Sequence, residues 1–443
     1  MSMEHASCSL ERRDTTKAPM MSGVANDRIS TLPDGLLHHV LSFLPAHEAV
    51  PTCTLARRWR HLWESAPALR VTGVKGCKST TWFVNFVQTL LLRRDPHAHL
   101  DSFQLDLDDR DFDFVKPFLP ANEWQVNRWF RYALTCGPRV LLALRTTSGM
   151  YKNPDDYKTM ELLNAPLVSQ HLTRLELQMV SLPRRTLDFS GCPALVDLRM
   201  EDCDIMGNIS SPSLKRLSII FGYFRTDPFR ARICVPSLVS LELVGVMHRA
   251  PVLVESMPRL VSAILRLDST CVDSCPKNDY GDCTDLGCYG CYGSGAYDRH
   301  GQSVLLEGLS EVAELELSVD SQVFIVNRDL KLCPTFSKLK TLLLSEWCPD
   351  ISSDLNVLSC FLKHSPTLEK LTLQLSEVLK VPVETQRSYT PSDPSFACHH
   401  LKIVEIKCGI VDGRAHKIRN ILRTYGIPLE KVNIQGNNKT SRS

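Results

Sequence analysis

The chain has 443 residues, more than the ~250–300 that one compact core usually holds, so a small module beside a larger domain, or a repeat array, is expected. Lys and Arg total 51 against 49 Asp and Glu, a net charge of +2 that offers no clustered basic footprint for nucleic acid or an anionic membrane. Hydrophobic residues make up 43% and charged residues 23%, an ordinary globular mixture, and no apolar run approaches the roughly 20 residues of a membrane-spanning helix.

Residues 1–26 are polar, charged and aperiodic, and read as a disordered tail with no signal-peptide pattern. The 17 cysteines are odd in number and mostly dispersed, which suits reduced thiols in the cytoplasm and/or nucleus. Cys53, Cys136, Cys203, Cys234, Cys360 and Cys408 lie beside apolar stretches and read as small hydrophobes.

Residues 27–66 predict three short helices. In the first, Pro33 suits the opening turn, Leu36, Val40, Phe43 and Leu44 recur at helical spacing, and Pro45 stops the run. The third carries Leu55, Trp59, Leu62 and Trp63 on one side and Arg57, Arg58 and Arg60 on the other. So small a unit buries little by itself, and two tryptophans on one short helix call for an apolar partner. The arginines read as a solvated face.

Internal repeats dominate the remainder. L-x-x-L-x-L, with conservative swaps, starts at Leu172, Leu195, Leu214, Leu238, Leu260, Val312, Leu339, Leu368 and Leu401. Partial copies begin at Leu100 and Val140, and prolines such as Pro193, Pro212, Pro236 and Pro366 precede several copies. Each unit supplies one short strand whose leucines cannot be buried alone, so stacked units form a parallel sheet over a continuous core. Only the copy ending in Cys203 has the Asn or Cys that regular repeats place after the last leucine; Val180, Val246 and Trp347 stand elsewhere. The array is therefore expected to be irregular. Residues 122–137 predict an amphipathic helix with Trp124, Trp129 and Leu134. Residues 400–434 read strand, loop, helix, strand, with Ile418, Ile421 and Leu422 on the helix face, and 435–443 read as a polar tail.

Leu32-Pro33, Ser42-Phe43-Leu44-Pro45, Ala49-Val50, Arg57-Arg58-Trp59-Arg60 and Leu62-Trp63 together resemble an F-box. With the repeats behind it, the chain is similar to plant F-box/leucine-rich-repeat proteins, and its end resembles their FBD-type segment, although the acidic residues usual in that loop are mostly absent. The resemblance implies an α/β protein in which a three-helix F-box (27–66) leads through a linker helix region and first irregular repeats (67–165) into a leucine-rich-repeat solenoid (166–399). The sheet would line its concave side, and an FBD-like repeat (400–434) would close it. It also implies the substrate-recognition subunit of a Skp-cullin-F-box ubiquitin ligase, with a Skp-type adaptor, a cullin reached through it, and an unknown protein target as partners. An interaction scaffold without a ligase role is the alternative. Leu32, Pro33, Leu36, Val40, Leu44, Val50, Leu55, Trp59 and Trp63 are the expected adaptor contacts or their immediate support.

Residues between the strand leucines point out of the core, which nominates Arg174, Glu176, Asp197, Arg199, Arg216, Glu242, Glu314, Glu316 and Lys370 for target binding. Glu314 with Glu316 suggests a local acidic patch. The insertion 271–301 holds closely spaced cysteines, and Cys271, Cys275, Cys288 and Cys291 could be a tetrahedral ligand set. Its Gly, Tyr, Ser and Asp content suits an unligated surface loop better, so no metal and no cofactor are expected. Phosphate-loop, nucleophile-elbow and H-E-x-x-H patterns are missing, and no catalytic residue is nominated.

Overall fold

The computed structural model describes residues 29, 31–72, 79–107, 123–144, 160–225, 230–253, 257–271, 303–320, 323–349, 352–376, 400–409 and 413–436. Thirteen strands form one all-parallel sheet in strict chain order. They are β1 (Ala68–Thr72), β2 (Ser102–Asp106), β3 (Val140–Leu144), β4 (Arg174–Gln178), β5 (Asp197–Glu201), β6 (Arg216–Ile220) and β7 (Ser240–Val244). They continue as β8 (Ser262–Leu267), β9 (Glu314–Val319), β10 (Thr341–Trp347), β11 (Lys370–Leu375), β12 (Ile403–Cys408) and β13 (Val432–Gly436). Every copy of the leucine motif supplies one strand. The sheet does not close into a barrel, and a leucine-rich-repeat solenoid accounts for the order.

Pairing is in register, so equivalent leucines stack into columns. One column runs through Leu175, Leu198, Leu217 and Leu241, and a second through Leu177, Met200, Ile219 and Leu243. These side chains are buried, while those between them remain partly accessible. Alternation of period two thus gives each strand one core face and one open face.

The turn after each central strand repeats a left-handed residue. Met179, Asp202, Phe221 and Gly245 have φ of 55°, 50°, 52° and 62°. Their amides donate to Glu201, Ile220, Val244 and Arg266 carbonyls of the next repeat. Beyond the turn, short strands at Met160–Glu161, Val180–Leu182, Asp204–Ile205, Tyr223–Phe224 and Met247–His248 pair into a second parallel ladder. Val180 and Val246 take the position of Cys203 in their turns, and at Val246 the Phe221 amide of the preceding unit donates to the Val244 carbonyl, the counterpart of the Glu201 carbonyl. The Cys203 thiol donates to the Leu177 and Glu201 carbonyls at 3.4 and 3.3 Å. Burial pushes that thiol up to about 12.

Helices and turns cover the other side of the leucine columns. α1 (Asp34–Leu41) and α2 (Ala46–Ala49) lie in the opening module; α3 (Thr80–Arg93) and α4 (Glu123–Thr135) follow β1 and β2. α5 (Phe324–Asp329), α6 (Ser352–His364) and α7 (Gly413–Thr424) belong to the later repeats. β1 and α3 have no counterpart in the sequence reading. Within α4, Trp129 and Leu134 are buried, but Trp124 is exposed, because the inward stripe runs through Val126, Phe130 and Ala133 instead. Ile418 and Leu422 of α7 are buried and Ile421 packs at the margin of the core.

The opening module is fused to the array. Its buried residues, from Leu37 to Ala66, belong to the same continuous core as Leu69 and the following strands. The buried Arg94 guanidinium donates to the Ala66 carbonyl at 2.7 Å, and the amides of Asp95 and Asp101 donate to Glu64 and Pro67 carbonyls.

Residues 271 and 303 are the described residues on either side of the insertion. Cys271 is buried, and its backbone forms a β-bridge with His248 on the ladder. Cys275, Cys288 and Cys291 lie outside the described residues. On the return, fully buried Asp329 accepts from the Ser303 hydroxyl at 2.8 Å and from the amides of Val304, Leu305 and Leu306 at 2.9, 2.6 and 3.1 Å.

Candidate functional site

Two surfaces concentrate the residues singled out from the sequence. The first is on α1. This helix is apolar on both sides: Leu37 and Leu41 enter the core, while Leu36 and Val40, one turn apart, face outward with Phe43 beyond them. Leu36, Val40 and Phe43 keep 51, 47 and 60% of their surface exposed. The repeating face of the helix is therefore its outer one, not a core face.

Residues 57–65 form a 3-10 helix, not an α-helix, and extended Ala56 separates it from the turn before it. With three residues per turn, Trp59, Leu62 and Trp63 turn inward and are buried, and Leu55, on the far side of the break, is 69% exposed. Leu55 and Trp59 thus do not share a face. Trp59 and Trp63 support the surface from beneath rather than forming it.

Leu32, Leu44 and Val50 are half-buried against the core, and Pro33 is exposed. The elements are locked by Arg58, whose Nε donates to the Asp34 carboxylate at 2.8 Å, and by a 3.0 Å contact between the His38 ring and the Ser65 hydroxyl. Arg57 and Arg60 are exposed. Ile29, also exposed, extends the apolar set and escaped the sequence reading because it precedes the helical period.

The second surface is the open face of the sheet. Arg174, Glu176, Asp197, Arg199, Arg216, Glu242, Glu314, Glu316 and Lys370 all lie on it, but largely as neutralised pairs. Arg216 meets Asp197 at 3.1 Å, Arg199 meets Glu201 at 3.2 Å, and Arg174 pairs with Glu176. Glu242 accepts from Ser218 at 2.6 Å, and Lys370 meets Glu405 at 2.9 Å, holding that carboxylate below its usual range. The acidic patch expected at Glu314 and Glu316 is not formed as such. Arg266, 50 residues upstream in sequence, reaches Glu316 across the strand pair at 2.9 Å and leaves only Glu314 uncompensated by this contact. Register brings such partners together, and no local pattern announces them.

Comparison with known proteins gives these surfaces a context. The F-box domain family matches residues 29–69, the stretch that carries the exposed row on α1 and its tryptophan support. A putative F-box protein of Arabidopsis thaliana is 30% identical over 79% of this chain and 77% of its own length. This chain is an F-box protein.

The rice (Oryza sativa subsp. japonica) protein named MEIOTIC F-BOX protein MOF is 28% identical over 86% of this chain and 80% of its own length. An F-box/FBD/LRR-repeat protein of Arabidopsis thaliana is 27% identical, with 86% of each chain covered. Along most of its length the chain is thus similar to plant F-box/LRR-repeat and F-box/FBD/LRR-repeat proteins. As a class, F-box proteins act as adaptor-type components of ubiquitin ligases and bind a Skp-type adaptor through the F-box.

Proposed function

We propose that this F-box protein is the substrate-recognition subunit of a Skp-cullin-F-box ubiquitin ligase, working in the cytoplasm and/or nucleus. The observation that carries the reading is the outward apolar row Leu36, Val40 and Phe43, with Leu55 and Pro33, on a module whose core is already complete without it. An apolar row of this kind marks an interaction site. Leu32, Leu44 and Val50 shape its margin, and Trp59 and Trp63 hold it in place.

The open sheet face, with its paired charges, receives the target protein. A face of matched ion pairs favours a partner that offers its own alternating charges, since each pair can be re-formed across the interface. The chain performs no chemistry itself. It places a target lysine beside a charged carrier, turning a bimolecular encounter into a local one.

The test is reconstitution of the full-length chain with a purified Skp-type adaptor and cullin. The expected result is a stable equimolar complex that captures cullin only when adaptor is present. Folded full-length chain that binds no adaptor overturns the reading and leaves a repeat scaffold without a ligase role.

A further inference from the structure

Between the ninth and eleventh strands the fold assembles three side chains that the sequence keeps apart. Cys333 follows the short helical turn Leu330–Leu332, which continues from α5. Cys360 and His364 lie on α6 at i and i+4, so both project from one face of that helix. The two thiols and the imidazole offer ligand atoms that all lie within 4.8 Å of one another, and all three residues are half-buried. Among the described residues this is the one group of its kind found.

The surroundings hold the group in place. Phe336, three residues after Cys333, donates its amide to the His364 carbonyl at 2.8 Å. Its ring packs on Phe361, next to Cys360, with centroids 4.9 Å apart. Both phenylalanines are fully buried, so the loop carrying Cys333 is pinned to the last turn of α6 by packing and by a backbone bond. The Cys360 thiol donates to the Leu330 carbonyl at 3.9 Å. The last turn of a helix is a favourable place for positive charge.

We propose that Cys333, Cys360 and His364 bind one zinc-type divalent cation and thereby clip two successive repeats together. Two thiolates and an imidazole are the soft and borderline donors that this class of ion prefers. In a tetrahedral site with Zn–S near 2.3 Å and Zn–N near 2.0 Å, neighbouring ligand atoms stand roughly 3.5–3.8 Å apart, so no separation in the trio shrinks by more than about 1.3 Å. Binding converts both thiols to thiolates and releases their two protons to solvent. Half-burial leaves the fourth corner to water.

The experiment uses full-length protein purified under reductant. Its zinc content is measured after dialysis, and Co(II) is then substituted so that thiolate coordination appears in the visible spectrum. Stoichiometric zinc and a tetrahedral thiolate–cobalt spectrum are expected for the parent and for the variant Cys288→Ser/Cys291→Ser, and both are lost in Cys333→Ser/Cys360→Ser. Zinc raises the melting temperature of the parent and not of that last variant. Should Cys333→Ser/Cys360→Ser fail to fold, His364→Gln at its half-exposed position replaces a nitrogen ligand, and its cobalt bands must shift. Parent protein without stoichiometric zinc overturns the proposal, as does zinc retained by Cys333→Ser/Cys360→Ser but lost with Cys288 and Cys291. Unchanged cobalt bands in His364→Gln, or a Cys333–Cys360 disulfide in the reduced preparation, do so as well.

Discussion

Replacing Leu36, Val40, Phe43 and Leu55 together by alanine separates an interface from its scaffold. Burying a large apolar side chain from full exposure is worth ~1.5–3 kcal/mol. These four are exposed by 51, 47, 60 and 69%, so roughly half of that remains to be gained when a partner covers them. About 1 kcal/mol each, or about 4 kcal/mol together, corresponds to nearly 10³-fold in affinity for the adaptor. None of the four fills the core, and surface changes of this kind usually move stability by less than about 0.5 kcal/mol. Trp59→Ala is the opposite case. Its ring is buried at 6% exposure, and its loss should destabilise the module by ~3–5 kcal/mol. The assay is calorimetric titration of purified adaptor into full-length chain, with thermal unfolding of each variant alongside. The reasoning is refuted if the quadruple variant binds within about threefold of the parent, or melts as low as Trp59→Ala.

Other outcomes follow from features elsewhere. Asp329→Ala strands the Ser303 hydroxyl and the amides of Val304–Leu306, and should lower stability by about 3 kcal/mol in chemical denaturation. The Cys203 thiol, raised by burial, favours the protonated folded state: its contribution is complete below the unfolded value near 9.0 and is lost as pH rises toward about 12. Cys203→Val, which copies the residue at 180 and 246, should flatten that part of the alkaline decline in unfolding experiments. On the open sheet face, Arg216→Ala breaks a partly exposed pair with Asp197 and should change the unfolding free energy by less than about 1 kcal/mol, with the difference vanishing in high salt. A loss of several kcal/mol there would mean the pair is structural rather than available to a partner.

The periodic parts of the fold were legible because periodicity is a local property. The strand at each L-x-x-L-x-L copy follows from leucine spacing alone, and the order of strands follows from chain order in a stacked array. β1 escaped because Ala68–Thr72 presents only Leu69 and Val71 to the core, too short a signal to count. The second ladder escaped because it is satisfied by backbone pairing between repeats, which leaves no side-chain mark at Val180 or Val246.

The α1 surface was half legible. Spacing located the apolar residues but could not say that Leu37 and Leu41 would be the buried pair and Leu36 and Val40 the outward one. Pairing such as Arg266 with Glu316 is set by register across an insertion and is invisible in sequence. Cys360 and His364 were in plain view at i and i+4. Their significance depends on Cys333, which only the packing of Phe336 on Phe361 brings within reach.

The anchoring of the chain on either side of 272–302 has a practical meaning. One end is fixed by the His248–Cys271 bridge and the other by the Asp329 clamp. With both ends held, the chain re-enters the array at a fixed point, and β9 meets β8 without a slip of register. The repeats on both sides thus stay in step across the insertion, with Ser262 opposite Glu314 through to Leu267 opposite Val319.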